Sequence, residues 1–202
     1  MPVNLVSAGG GTTTLTAASS ASNFTLTLPA YTGTILTNKT PGTVLQVVQT
    51  SKIDTTASVV TANTWNEFDT TFRVTITPSA ATSKILLTAS ISGAQTTGTV
   101  RYKFQYSTDG GTTFSDVSPI PAASGSHSSG HFGYAVNSDT NQVVTCGMEL
   151  LHSPATTNTI IYRIQYGQDV STTYYFNRSI AYPNSFLGGT YTSIYVAKEI
   201  AG

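Results

Sequence analysis

The stretch Thr71-Phe-Arg-Val-Thr-Ile-Thr-Pro-Ser-Ala-Ala-Thr-Ser-Lys-Ile-Leu-Leu-Thr-Ala-Ser-Ile-Ser92 decides the fold class. Apolar and polar residues alternate from Phe72 to Ile76, and this period of two predicts a half-buried strand. Pro78 ends that strand because it has no N–H to donate, and a second strand is expected over 84–92. The connection is longer than a tight hairpin turn, so the two strands either pair or lie in opposite sheets.

The rest of the chain repeats this rhythm of short alternating strands and polar breaks. Further strands are predicted over 43–50, 58–61, 99–106, 131–136, 142–150, 158–166, 172–179 and 191–200. No segment has a sustained period of 3.6 residues, so helix is expected to be nearly absent. This pattern predicts an all-β jelly-roll or β-sandwich domain in which the last strand is central. Trp65 and Phe68 are expected to cap one end of its core, and Asp109-Gly-Gly111 is expected to form a turn with positive φ.

The composition restricts the classes of partner. Charged residues make up only 9% of the 202 residues, against roughly 25% in an average soluble domain, and the formal net charge is zero. Nucleic-acid binding requires a basic surface, so no nucleic-acid partner is expected, and no membrane insertion is expected because no apolar run is long enough. Low net charge favours self-association. The N-terminus lacks a basic region followed by an apolar run, so assembly in the cytoplasm is expected.

Residues 1–40 are predicted to form a short extended β segment that precedes the jelly-roll head of residues 41–202, and a boundary is predicted at Thr40-Pro-Gly. The N-terminal segment has too few large apolar residues to form its own core, so it either stays a flexible leader or orders by packing on copies of itself or on a larger particle. In the second case its apolar side chains anchor the chain to the particle. The predicted anchor residues are Phe24, Leu26, Leu28, Ile35 and Leu36.

No motif for catalysis or cofactor binding is present. Glu67 and Asp69 are expected to be solvated at a strand end rather than to form a glycosidase pair. His127 and His131 have a spacing that a metal site can use, but no third ligand is near them in sequence, so solvated loop histidines are expected. The single cysteine, Cys146, is expected to be a small buried hydrophobe. No enzyme activity, no metal and no cofactor are therefore predicted.

Three polar loops, 107–116, 119–130 and 183–189, combine small polar residues with an occasional aromatic residue. Aromatic faces stack and amide groups form hydrogen bonds, so this composition suits contact with a glycan or a protein. The same composition suits any exposed loop.

A family resemblance is carried by several stretches. Leu15-Thr-Ala-Ala-Ser-Ser, Phe24-Thr-Leu-Thr-Leu-Pro and Ser193-Ile-Tyr-Val-Ala-Lys-Glu-Ile, together with the 72–87 stretch, are similar to segments of tail-fibre and other appendage proteins of tailed phages, especially those of marine and cyanobacterial hosts. The resemblance implies a virion protein with a jelly-roll head like the tumour-necrosis-factor and C1q domains, in a homotrimer.

The many tyrosines agree with a trimer, because tyrosine suits surfaces that are apolar in body and polar at the tip. The residues predicted to line the trimer interface are Tyr102, Tyr106, Tyr162, Tyr166 and Tyr195. The alternative is that all of them are ordinary core or rim residues.

The sequence thus predicts a non-enzymatic phage virion protein, a trimeric tail-fibre-type appendage that is docked by its N-terminus and takes part in attachment to the host surface. Its partners are expected to be itself, other tail or capsid proteins and a host-surface glycan or protein. The alternative is a capsid decoration protein that stabilises the capsid. A glycan-cleaving virion enzyme is disfavoured because the carboxylate pair is missing.

Overall fold

A computed structural model describes residues 3–6, 8–15, 40–122, 129–135, 140–181 and 189–202. The chain divides into two compact units, Met1–Ile35 and Leu36–Gly202. In the first unit, strands β1 (Val3–Val6) and β2 (Thr12–Leu15) form an antiparallel hairpin. Part of the N-terminal segment therefore satisfies its backbone hydrogen bonds within the segment itself.

The second unit contains twelve strands among the described residues. They are β3 (Val44–Lys52), β4 (Ala57–Val60), β5 (Trp65–Glu67), β6 (Val74–Ile76), β7 (Lys84–Ala94), β8 (Thr99–Ser107), β9 (Ser115–Asp116), β10 (Phe132–Ala135), β11 (Val144–His152), β12 (Ile160–Gln168), β13 (Thr172–Phe176) and β14 (Ser193–Ile200). None of the residues that the structure describes is helical, and they therefore include no helix long and apolar enough to span a membrane.

The strands form two antiparallel sheets of six strands each. Sheet I has the order β10–β8–β12–β5, with β6 also on β12 and β9 also on β8. Sheet II has the order β3–β14–β7–β13–β4, with β11 also on β7. The prediction of an all-β fold is confirmed, and two such sheets with a shared core are consistent with a β-sandwich. The last strand, β14, pairs on both sides, with β3 and β7, so its predicted central position is also confirmed.

The stretch that decides the fold class changes sheets at Pro78. Strand β6 pairs with β12 in sheet I, and β7 lies in the middle of sheet II, so the two strands lie in opposite sheets. The first strand is shorter than the alternating pattern predicts. The backbone N–H and the hydroxyl of Thr71 both donate to Oδ1 of Asp69, which holds the chain in a turn until Arg73.

Alternation along the strands supplies the core between the two sheets. Buried side chains on the inner faces are Ile85, Leu87, Ala89, Ile91, Val100, Tyr102, Phe104, Ile160, Tyr162, Ile164, Tyr166, Tyr174, Phe176, Tyr195 and Ala197. Phe104 of sheet I stacks on Tyr195 of sheet II, with ring centres 5.6 Å apart. The core is therefore assembled largely from aromatic rings, which bury more area per residue than aliphatic side chains do.

Two hydrogen bonds between side chains also join the sheets. The hydroxyls of Tyr102 and Tyr174 lie 2.7 Å apart, and Nδ1 of His152 lies 2.7 Å from the hydroxyl of Tyr162. Each bond pairs polar atoms that would otherwise be buried alone, at a cost of about 1–3 kcal/mol per group. The polar tips of these side chains are thus satisfied inside one sandwich.

Glu199, in the last strand, forms hydrogen bonds with the segment that follows β6. Its side chain is 1% exposed, and its carboxylate accepts hydrogen bonds from Nε2 of Gln46, from the backbone N–H and hydroxyl of Ser79 and from the hydroxyl of Ser83. Burial alone would raise the pKa of this carboxyl, but the hydrogen bonds outweigh burial and lower the pKa below its usual value. Glu199 is therefore a buried carboxylate with a structural role.

Candidate functional site

The outer face of sheet I gathers a third of the charged residues of the chain. Along β8 and β12 the apolar side chains point into the core, so the residues between them point outward. We call this surface the polar face. Its residues are Trp65, Glu67, Arg73, Arg101, Lys103, Gln105, Phe114, Asp116, Arg163 and Gln165.

Glu67 lies at the centre of an ion-pair network on the polar face. Arg73 donates to it in bidentate fashion, from Nε to Oε1 at 2.5 Å and from Nη2 to Oε2 at 2.7 Å. Nη1 of Arg163 donates to Oε2 at 3.0 Å. Burial would raise the pKa of Glu67, but the two guanidinium groups outweigh burial and hold the pKa below its usual value. Glu67 is therefore ionised near neutral pH and is a poor proton donor.

Phe114 lies against both guanidinium groups. Cζ of Arg163 is 3.8 Å and Cζ of Arg73 is 5.1 Å from the centre of its ring. Such contacts stabilise the cations by about 0.5–2 kcal/mol each. Phe114 reaches this place because the loop 107–116 folds back over the sheet.

The turn within that loop has the geometry that the sequence predicts. Gly110 and Gly111 have φ angles of 74° and 89°, in the left-handed region that favours glycine. The carboxylate of Asp109 accepts hydrogen bonds from the hydroxyl of Ser107 and from the backbone N–H and hydroxyl of Thr113, and these bonds lower its pKa. The loop is thus internally bonded.

The second half of the polar face is organised by Asp116. Nζ of Lys103 donates a hydrogen bond to Oδ2 of Asp116 at 3.2 Å and lies 3.0 Å from Oδ1, which accepts a hydrogen bond from Nε2 of Gln105 at 2.6 Å. Nζ of Lys103 also lies 4.6 Å from the centre of the Trp65 ring. Trp65 therefore belongs to the outer surface, and the prediction that it caps the core is wrong. Phe68 does lie in the core, with 5% of its surface exposed.

The two carboxylates of this face, Glu67 and Asp116, are both in ion pairs. Both are neutralised by cations, and Asp69, the other acid of the 65–69 segment, pairs with Lys52 at 2.7 Å. The prediction that Glu67 and Asp69 are merely solvated at a strand end is wrong, since both are in ion pairs. What the face can offer a ligand is a set of fixed cations, amides and aromatic rings.

The histidines do not form a metal site in the described residues. Nδ1 of His131 accepts a hydrogen bond from the backbone N–H of Phe104, and Nε2 lies 2.7 Å from the carbonyl oxygen of Val117. Both ring nitrogens are thus engaged, and burial lowers the pKa of the ring. His131 is part of the packing and not a solvated loop histidine, and His127 lies outside the described residues. The described part of the chain has no group of three or more candidate metal ligands.

The predicted trimer interface has to be corrected. Tyr102, Tyr162, Tyr166 and Tyr195 are at most 1% exposed within a single chain. A side chain with no exposed surface cannot contact a second copy, so the assignment of these four to an interface is wrong, and they are core residues. Tyr106 is half-buried against His152, with ring centres 4.6 Å apart.

The other predicted site residues lie mostly outside the described residues. This holds for the anchor residues Phe24, Leu26, Leu28, Ile35 and Leu36, for half of the loop 119–130 and for most of the loop 183–189. Cys146 is half-buried against the core, and burial raises the pKa of its thiol, which disfavours the reactive thiolate.

The sequence matches no protein-family model and no curated protein. The polar face was not predicted from the sequence. The available signal was the alternation of Arg101, Lys103 and Gln105 with buried aromatic residues in β8, together with Arg163 at an outward position of β12.

Proposed function

We propose that this chain is a non-enzymatic structural protein of a bacteriophage virion. In this proposal it is a homotrimeric tail-fibre-type appendage that docks to the tail through residues 1–40 and attaches the particle to the host surface through the polar face of a jelly-roll head. It is assembled in the host cytoplasm and resides in the virion. Phe24, Leu26, Leu28, Ile35 and Leu36 remain the predicted anchor residues.

The observation that carries the attachment role is the state of the polar face. Three of its four cations, Arg73, Lys103 and Arg163, are held by ion pairs, and its aromatic rings lie against these cations, so little conformational entropy is lost when a ligand binds. Its carboxylates are neutralised, which supports binding without reaction. Loop 107–116, whose composition suits ligand contact, contributes Phe114 and Asp116 to it.

A second candidate function is capsid decoration, and one feature of sheet II favours it. The outward residues of β3, β11 and β14 include Val44, Val47, Leu151 and Ile194, which are 51%, 57%, 46% and 36% exposed. Exposed apolar side chains grouped on one sheet face are typical of protein–protein contact surfaces. A protein that clamps neighbouring capsid subunits, or that trimerises, can use such a face.

Immunogold labelling of intact particles with an antibody against residues 41–202 tests the proposal. Label confined to the tail supports the attachment appendage, and label spread over the capsid supports decoration. Absence of label from all particles would refute both. A chain that lacks residues 1–40 is expected to be absent from particles, and its incorporation would refute the N-terminal anchor.

A further inference from the structure

One row of side chains crosses the polar face at right angles to the strands. Trp65 of β5 pairs in register with Gly167 of β12, Gly167 with Arg101 of β8, and Arg101 with Gly133 of β10. Large and absent side chains thus alternate along the row. The aromatic residue and the cation project from the sheet, and the two glycines beside them have no side chain to fill the space between.

The indole of Trp65 lies down on this surface. A Cβ atom at position 167 would be 3.2 Å from Cε3 and 3.3 Å from Cδ2 of Trp65, and one at position 130 would be 3.4 Å from Cη2. The ring therefore rests over Gly167 and reaches Gly130 beyond β8. Trp65 is only half-buried, and Nζ of Lys103 lies 4.6 Å from the centre of its ring, so a cation and an aromatic surface meet at this point.

Arg101 leans over the other glycine of the row. A Cβ atom at position 133 would be 3.4 Å from Cγ of Arg101 and 2.7 Å from the carbonyl oxygen of Val100. A shallow cavity of about 240 Å³ lies beside it, lined by Thr99, Val100, Arg101, Gly133, Tyr134 and Ala135. The row therefore passes from an aromatic platform to an open groove.

The charge of this region is unbalanced. The polar face has four cations, Arg73, Arg101, Lys103 and Arg163, and two carboxylates, although the whole chain is neutral. Arg101 forms no direct ion pair within the described part of the chain, and its charge helps to lower the pKa of Asp169. A guanidinium group whose N–H groups are not taken up by a direct ion pair, at the mouth of a groove, favours an anionic ligand.

We infer that the row from Trp65 to Gly133 binds an acidic glycan. The apolar C–H face of a sugar ring stacks on the indole, Arg101 and Lys103 pair with a carboxylate of that sugar or its neighbour, and Gln165 is placed for hydrogen bonds to hydroxyls. This inference rests on the proposed attachment function, since it assigns a class of ligand to the same face.

Trp65 is the only tryptophan of the chain, so tryptophan fluorescence, excited at wavelengths that tyrosine does not absorb, reports on this row alone. The probe is a hexameric oligogalacturonate, and its matched control is the same oligosaccharide with the carboxylates methyl-esterified. We expect saturable quenching or a spectral shift with the acid, weakened by added salt, and an affinity for the ester at least about tenfold lower. Equal affinity for acid and ester, or no saturable change with either, would overturn the inference.

Single-residue variants test whether the oligosaccharide contacts Arg101 and Trp65. Arg101→Gln is expected to weaken binding of the acid about tenfold or more, because it removes a charge-assisted contact. Lys198→Gln, which removes a cation from the outer face of sheet II, is the matched control and is expected to bind like the unmodified chain. Trp65→Phe, measured by calorimetry, is expected to reduce the affinity. Unchanged binding by Arg101→Gln, or equal losses in Arg101→Gln and Lys198→Gln, would place the ligand elsewhere.

The last titration uses inorganic polyphosphate, a charged polymer without sugar rings, to test whether negative charge alone is enough for binding. If it produces the same fluorescence change with the same affinity, then charge alone accounts for binding and the glycan assignment is wrong. The particle labelling is independent of these titrations. Labelled tails with no oligogalacturonate binding would refute only this inference, and binding with no labelled particle would refute only the proposed virion function.

Discussion

The buried pair of His152 and Tyr162 should make the stability of the sandwich depend on pH. His152 is 7% exposed, and burial lowers the pKa of its ring from the usual 6.5 to about 4. The unfolded chain therefore takes up a proton on this ring at a higher pH than the folded chain does. The free energy of unfolding should be fully present above about pH 6.5 and should fall as the pH drops from there towards 4.

The size of the effect follows from the two pKa values. A difference of about 2.5 units corresponds to about 3 kcal/mol as an upper limit, since one unit is worth about 1.4 kcal/mol. Between pH 7.5 and 4.5 we expect about 2 kcal/mol, because protonation in the folded state and partial solvent access reduce the limit. For a domain of this size that is a large share of the total stability.

The measurement is urea unfolding at several pH values between 7.5 and 4.5, followed by circular dichroism. The reference is the double variant His152→Leu with Tyr162→Phe, which removes the titrating ring without leaving the Tyr162 hydroxyl unpaired. Other groups, such as His131, titrate in both proteins, so only the difference between them reports on His152. If the two proteins lose the same stability over this range, the reasoning is wrong.

Two further predictions concern a glycine with no room for a larger side chain and a buried carboxylate whose hydrogen bonds another side chain cannot replace. Gly93→Ala should lower the free energy of unfolding by about 2–3 kcal/mol, because the added Cβ would lie 2.0 Å from the buried Tyr174 hydroxyl. Gly147→Ala, with no atom within 4 Å of the new Cβ, should change it by less than about 0.5 kcal/mol; similar urea midpoints for the two variants would contradict this. Glu199→Gln should lower the free energy of unfolding by about 2 kcal/mol in urea titrations at pH 7, whereas the control Glu149→Gln, at an exposed position, should leave it nearly unchanged. Because the pKa of Glu199 is lowered by folding, the unmodified chain should lose this contribution as the pH falls below about 4.5, and the Glu199 variant should lack that part of the pH dependence. A midpoint for the Glu199 variant equal to that of the unmodified chain would contradict the structural role of this carboxylate.

Strand content was predictable because alternation is a local property. The pattern in β8 or β12 can be read from nine consecutive residues, and both strands occur within one or two residues of their expected bounds. The start of β6 was not predictable, since Phe72 continues the alternation although the hydrogen bonds of Asp69 hold the chain in a turn there. The alternation of apolar and polar residues favours a strand at Phe72, whereas the side-chain hydrogen bonds of Asp69 favour a turn. The sequence does not show which of the two is more stable.

The roles of the tyrosines could not be assigned from the sequence. Tyrosine suits both interfaces and interiors, and an interior position is favoured where the hydroxyl finds a partner. Tyr102 and Tyr162 find such partners in Tyr174 and His152, which lie in the opposite sheet. That pairing depends on how the two sheets face each other, and no spacing within one strand reveals it.

The sequence by itself determined the all-β class, the glycine turn at 110–111 and the low charge of the surface, because each depends on neighbouring residues or on composition. Only the tertiary structure decided which residues form the polar face. Trp65 meets Gly167 and Arg101 because three strands that are distant in sequence pair in one register. A shift of one residue in any of these strands would turn its outward side chains into the core. The register is set by the packing of the whole sandwich, and for this reason the candidate site became visible only in the folded chain.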